Sequence, residues 1–247
     1  MKVSQIYEYL NLVSPFELAE NWDNCGLILG AFDDEFETVY CSLDLDLEFV
    51  ENCEPNSLII THHPLIFAPL KKINFDNFST KILKIAIQKN LKLIAMHTNF
   101  DKTHLNRFVF EQVLGFKISA EEDFVVYCDV NFDFFELLDD IKRKLNLDFE
   151  KFVFDHCDVS RIALTTGSGG SLIKKIKADT FLSGDFKYHE AMEAKALGMN
   201  LIEIGHYESE KFFGEILKTQ IEQYLKKNNL KDIIQVSQNP FSYRRVN

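Results

Sequence analysis

The residues able to do chemistry in this chain recur at one kind of place. Of seven histidines, His62, His63, His97 and His206 lie just after short apolar runs of strand length, and His189 lies a few residues beyond another. Carboxylates accompany them: Asp101 four residues after His97, Asp185 four before His189, and Glu210 four after His206. In open α/β sheets the carboxyl ends of strands form the crevice where ligands bind. Imidazoles and carboxylates converging there are the usual ligand set for a divalent transition ion such as zinc, manganese or iron.

His62 and His63 are adjacent, follow the apolar run Leu58–Ile60 and precede Pro64. In extended chain, neighbouring side chains point to opposite sides, so the pair is better suited to two ions, or to one ion and a hydrogen-bond partner, than to chelating one ion. His206 and Glu210 have the i, i+4 spacing that places both on one face of a helix, and a carboxylate has two oxygens with which to bridge two ions. Glu210 is therefore the candidate bridge. His104 and His156 stand apart from this pattern and read as ordinary hydrogen-bonded residues.

Two further stretches carry weaker signals. In TTGSGGSLIKK, Gly167, Ser168, Gly169 and Gly170 lie between a strand and a helix. Exposed backbone N–H groups there could hold an anionic group, or the glycines could simply serve a tight turn. AENWDNCGL holds the single tryptophan, Trp22, with Asp23 and Asn24 before a glycine; it suits a cap or turn as well as a ligand contact. Lys187, Gly169, Gly170 and Arg244–Arg245 are candidate phosphate contacts.

The elements that must position these residues follow from periodicity. Val3, Ile6, Tyr7, Leu10 and Val13 recur at helical spacing, with a break at Ser14–Pro15 and a further helical turn over 16–21. Strand-length apolar runs occupy 39–43, 58–60, 91–96, 162–165, 180–182 and 201–204, and amphipathic helical stretches occupy 79–89, 171–177, 189–197 and 210–227. Between them, 124–155 reads as strand, helix (134–145), strand. This alternation predicts an α/β fold with largely parallel pairing. LIITHHP, KILKIAIQ and LKLIAMHTNFD are echoed by DTFLSGDFKYH, EAMEAKAL and MNLIEIGHYESE, as two related α/β units, 1–124 and 125–247, would be after duplication, or as the common recurrence of such patterns would give.

Composition narrows the class. The 247 residues are 46% hydrophobic and 26% charged, which excludes disorder and collagen-like repetition and allows two modest domains. The net charge of -11, with no extended Lys/Arg cluster, argues against a nucleic-acid partner. No apolar run reaches the roughly 18–20 residues of a membrane span, and Glu8 falls where a signal peptide would be apolar; a cytoplasmic protein is expected. Five scattered cysteines without a CxxC pair suggest neither a disulfide framework nor a thiolate zinc site.

Five blocks in order, ENWDNCGL, LIITHHPLIF, HTNFD, SGDFKYHEA and IGHYESE, resemble the signature motifs of the GTP cyclohydrolase 1 type 2 family, the Nif-three-like dinuclear metal proteins. The resemblance implies two divalent ions per chain between two related α/β units, with His62 and His63 on one ion each, Asp101 on the first, His206 on the second and Glu210 on both. It implies that His97 lies beside the metals as a hydrogen-bonding or proton-transfer residue and that His189 faces the same pocket. It further implies a homohexamer and, from the family name, hydrolytic opening of the guanine imidazole ring of GTP to give formate and 7,8-dihydroneopterin triphosphate. The same ligands would serve a metal-dependent nucleotide phosphatase, a metal-binding or regulatory protein without turnover, or a scaffold with structural metals. Phe100, Ile204 and Ser209 depart from common family residues without touching a proposed ligand.

Overall fold

The computed structural model describes residues 1–228, 230, 234–236 and 238–242. The described chain forms two compact units. The first comprises Met1–Phe100 and Phe213–Gln238; the second comprises Asp101–Phe212 and the described residues after Gln238. The chain thus leaves the first unit after Phe100 and re-enters it at Phe213, whereas the sequence pattern suggests one division, after residue 124.

In the first unit, β1 (Gly26–Leu29), β2 (Val39–Ser42), β3 (Leu58–Thr61) and β4 (Lys92–Ala95) join the short strand Ile234–Val236 in one sheet, in the order β1, β4, β3, β2, 234–236. All neighbours are parallel except β1, which runs antiparallel to β4. β2, β3 and β4 are buried at every position, as expected of parallel strands covered on both faces. One side of the core gathers Tyr40, Phe49, Ile59, Ile82, Ala86 and Leu93. The helix Val3–Val13 buries Val3, Ile6 and Leu10, the apolar stripe that its spacing predicts. The helix Phe213–Lys227 buries Phe213, Ile216, Leu217, Ile221 and Leu225. It is tied to the first helix by the Tyr9–Tyr224 stack, with centroids 3.9 Å apart, and by a hydrogen bond from the Tyr224 hydroxyl to the Gln5 carbonyl. That packing is why the helix Phe213–Lys227 belongs to the first unit.

The second unit has a six-stranded sheet. β5 (Ala120–Glu122), β6 (Val125–Asp133), β7 (Lys151–Val153), β8 (Asp158–Thr165), β9 (Thr180–Ser183) and β10 (Asn200–Glu203) lie in the order β5, β6, β8, β9, β10, β7. β8, β9 and β10 are mutually parallel, and the remaining pairings are antiparallel. The helix Phe134–Leu145 starts where Asp133 accepts hydrogen bonds from the N–H groups of Phe135 and Glu136, and it stops at Asn146, whose φ of 55° is left-handed. The mixed α/β class is as the sequence predicts. Three details differ. The stretch at 171–177 is a 3-10 turn over Gly170–Lys175, the long helix begins at Phe213 and not at 210, and β1, 234–236 and the helix Leu47–Asn52 are additional elements.

Candidate metal centre

In the first unit two adjacent parallel strand ends carry the histidines, His62 and His63 after β3 and His97 after β4. β3 ends at Thr61 and the chain bends at His62–His63, so the strict strand alternation expected of this pair does not apply. Their rings lie 5.0 Å apart, and the His97 ring sits 5.0 Å from His62 and 5.3 Å from His63. A ring nitrogen from each of the three falls within 4.8 Å of the others.

What surrounds the other ring nitrogens decides their chemistry. The Nδ1–H of His62 donates to the Met96 carbonyl at 2.9 Å, that of His63 to Asp44 Oδ1 at 2.9 Å, and that of His97 to Asp23 Oδ1 at 2.9 Å. Carbonyls and carboxylates only accept, so each ring carries its proton on Nδ1 and, when neutral, a lone pair on Nε2. This is the way proteins orient histidines that ligate metals. Asp44 carries no signal in the sequence pattern, and Asp23 appears there only in a segment that suits a cap or turn as well as a ligand contact. Asp44 lies 19 positions from its histidine and Asp23 lies 74 from His97.

Asp23 is held hard. Its side chain is fully buried, with Oδ1 accepting from His97 and from Asn24 N–H at 2.7 Å. Oδ2 accepts from the Thr98 N–H, the Thr98 hydroxyl at 2.6 Å and the Cys25 thiol. Burial works to raise this carboxyl, but the hydrogen bond from His97, its charge, and those from Thr98 and Cys25 override burial and keep it ionised well below the usual carboxylate range. Burial, reinforced by the Asp23 charge, pushes the Cys25 thiol up to about 12. It stays protonated, neither nucleophile nor thiolate ligand.

In the second unit, Asp101 opens a run of π-helical turns over Asp101–Leu105 and Phe108–Val113, a winding often found at functional positions. His206 and Glu210 begin and end one short helix, so the i, i+4 spacing does place them together. The Nδ1–H of His206 donates to Asp185 Oδ2 at 2.6 Å, and this bond is the leading cause that holds the Asp185 carboxyl low. Nε2 of His206 then meets Glu210 Oε2 at 3.1 Å. A lone pair and a carboxylate oxygen face each other, an opposition that a cation or an added proton resolves. Glu210 is 2% exposed, and oxygens of Asp101 and Glu210 lie within 4.8 Å of one another. By the chemistry of these donors, both groups fit divalent ions.

Glycines close the second group tightly. Gly167, at φ 61°, lies where a side chain would run into Glu210. A Cβ on Gly184 would lie 2.5 Å from the Gly167 carbonyl oxygen and 2.9 Å from the His206 Cα. Because both obstacles are backbone, Gly184→Ala is expected to lower stability by about 1–3 kcal/mol, read as a lower denaturant midpoint at unchanged slope.

The other candidates are placed differently. His189 is exposed at the start of the helix Tyr188–Ala196, edge-on to Tyr188 at 5.4 Å, and belongs to none of the clustered groups among the described residues. Lys187 is exposed, and its N–H donates to Glu190 Oε2 at 2.7 Å. Gly169 N–H donates to Ser183 Oγ at 2.8 Å, and the Glu190 carboxylate occupies the space a side chain at Gly170 would need. Arg244–Arg245 lie outside the described residues. His104 is partly buried, with Nδ1 against the Thr103 hydroxyl, and burial lowers it. His156 pairs with Asp155.

Comparison with known proteins sets these groups in a family. The model for Duf34/NIF3 (NGG1p interacting factor 3) matches residues 1–240. The chain belongs to the Duf34/NIF3 family. Among its Duf34/NIF3 relatives, it is similar to a Campylobacter jejuni protein named GTP cyclohydrolase 1 type 2 homolog, 48% identical over 246 residues that cover 98% of this chain and 100% of the relative. It is 43% identical to a Helicobacter pylori protein named GTP cyclohydrolase 1 type 2, over 87% of this chain and 89% of that one. The crystal structure of a Staphylococcus aureus hypothetical protein superposes with a TM-score of 0.84 at 28% identity, covering 99% of both chains. Reduced HcgD from Methanocaldococcus jannaschii gives 0.78 at 27% identity, covering 96% of this chain and 97% of that one. No helix among the described residues of this Duf34/NIF3 protein is long and apolar enough to cross a membrane.

Proposed function

We propose that this protein is a dinuclear-metal-dependent hydrolase of the GTP cyclohydrolase type, converting GTP and water to formate and 7,8-dihydroneopterin triphosphate. His62 and His63, with Asp101, His206 and Glu210, hold two divalent ions, zinc, manganese or iron, and Glu210 serves both. One observation carries the reading: all four strand-end histidines have Nδ1 held by an acceptor-only group, which commits every Nε2 to ligation or proton transfer. The names of the Campylobacter and Helicobacter relatives support the substrate class.

When bound, the ions supply Lewis acidity and bring the pKa of a coordinated water toward neutrality. The chain's own residues do the rest. Asp44, Asp185 and the Met96 carbonyl hold three of the imidazoles in place. His97, aimed by Asp23, takes a proton at Nε2 and returns it to the leaving nitrogen as the ring opens, the work of a general acid and base. His189 is the alternative proton carrier. The similar placement of histidines after parallel strands in each unit supports an origin by duplication, and the family resemblance supports a hexameric cytoplasmic assembly.

Purified protein supplied with zinc or manganese is expected to release formate from GTP and to yield a pterin that fluoresces after oxidation, both abolished by a chelator. Phosphate release without pterin would assign it as a phosphatase. Bound metal with no product from any nucleotide would make it a binding protein.

A further inference from the structure

The first unit leaves an aromatic pair uncovered beside His97. Trp22 is 57% exposed and Phe67 53% exposed. Their rings lie 5.8 Å apart and tilted by 47°, and His97 stands edge-on to both, 6.2 Å from Trp22 and 6.3 Å from Phe67. The three ring centroids thus mark a near-equilateral triangle, with the imidazole beside the aromatic pair.

Exposed aromatic surface is common, but here both side chains sit on tied-down backbone. Trp22 directly precedes Asp23, whose buried carboxylate is gripped by Thr98, Cys25 and His97. Phe67 directly follows Ile66, whose carbonyl accepts from Asn24 Nδ2 at 2.6 Å. The two loops are thus laced together through the Trp22–Asp23–Asn24 segment. Rigid aromatic surface in water bears its hydration cost continuously, while the ordering entropy of a stacked ligand has already been met in folding. Such a surface suits a planar ring, because aromatic stacking needs only a π-face and tolerates variation at the ring's edge.

The anion-holding alternative has little to support it in this acidic chain. The glycine turn directs Gly169 N–H to Ser183 and stands against the Glu190 carboxylate. Recognition of an anionic nucleotide by its base avoids that charge.

We infer that Trp22 and Phe67 form a stacking subsite for a planar aromatic heterocycle, the nucleobase of the substrate, placed against His97. The choice of ligand rests on the cyclohydrolase reading, but the subsite is testable by binding alone.

Because Trp22 is the sole tryptophan, its fluorescence reports on the subsite directly. Guanosine and GTP titrated into the metal-loaded full chain are expected to quench it saturably, and inorganic tripolyphosphate is not. Phe67→Ala is expected to weaken guanosine binding about 5- to 150-fold, read by the same emission; Trp22→Ala should do so by calorimetry. Both side chains are exposed, so circular dichroism should show folded variants. Equal quenching by tripolyphosphate and guanosine, or unchanged guanosine affinity in both variants, would overturn the subsite. The two readings fail separately. Guanosine binding lost in Phe67→Ala without turnover by the parent leaves the subsite and removes the hydrolase, whereas turnover with unaltered base affinity in the variants does the reverse.

Discussion

Glu210→Gln is expected to abolish metal retention and turnover while leaving the metal-free protein at least as stable as the parent. The two effects have opposite signs for one reason. In the parent, Glu210 Oε2 stands 3.1 Å from His206 Nε2, whose lone pair is fixed by the bond from Nδ1–H to Asp185. Two acceptors in opposition repel until a cation or an added proton comes between them. A glutamine of the same shape can turn an amide N–H toward Nε2 and replace the opposition with a neutral hydrogen bond, so the metal-free fold keeps its contact here. The same amide has no negative charge and a weaker oxygen for a divalent ion. Metal content measured after dialysis should therefore fall from the proposed two ions per chain to none. Turnover should fall by more than the about 10- to 100-fold typical of losing a group that merely hydrogen-bonds a ligand. Thermal melts discriminate: added zinc or manganese should raise the midpoint of the parent, since a ligand that binds only the native state stabilises it, and should leave the variant where it was. A carboxylate with a purely structural part would give the converse, a lower metal-free midpoint and an undiminished response to metal.

The elements that bring these groups to strand ends were legible because buried parallel strands write themselves as apolar runs. Leu58–Thr61 and Lys92–Ala95 are buried at every position, and no other reading of LIIT and KLIA suits so short a run. The helix Phe134–Leu145 was equally plain, since its apolar stripe and its Asp133 cap agree. What escaped was short or unpunctuated. Gly26–Leu29 has four residues among turn formers. The break between the helices His206–Glu210 and Phe213–Lys227 falls at Lys211–Phe212, where no glycine or proline marks it.

At the site, the histidines could be found, but of their Nδ1 partners only Asp185 stood in the strand-end pattern, and there beside His189 rather than His206. A backbone carbonyl such as that of Met96 leaves no trace in side-chain pattern, and Asp23 reaches His97 across 74 positions. The WDN segment looked like a turn because a turn is its local structure; the work of its aspartate is long-range. Orientation of a ligand is a tertiary property, so residue type and spacing located the imidazoles while the choice of ring nitrogen had to come from coordinates.

That choice leads to the second large effect, at Asp23. Five donors converge on its carboxylate: the N–H groups of Asn24 and Thr98, the Thr98 hydroxyl, the Cys25 thiol and His97 Nδ1–H. The Thr98 hydroxyl and the Cys25 sulfur can also accept, as each does from a backbone N–H here, but the two backbone N–H groups cannot, so an amide N–H of Asp23→Asn turned toward the Oδ1 side meets the Asn24 N–H and His97. If it faces His97, the ring moves its proton to Nε2 to offer Nδ1 as acceptor, and the nitrogen aimed at the substrate loses its lone pair. Turnover is then expected to fall about 10²- to 10⁴-fold, the scale of lost general acid–base catalysis, with metal content unchanged because Asp23 touches none of the proposed ligands among its hydrogen-bond partners. Nitrogen-15 shifts of the His97 ring should show the proton moving from Nδ1 to Nε2. The variant will also lose about 1–3 kcal/mol of stability, so rates belong well below its melting midpoint. Non-additivity separates the roles: His97→Ala should cost a similar factor, and adding Asp23→Asn to it should cost little more. Independent, multiplying losses would mean that Asp23 serves the fold of its loop and that His97 does its work without it.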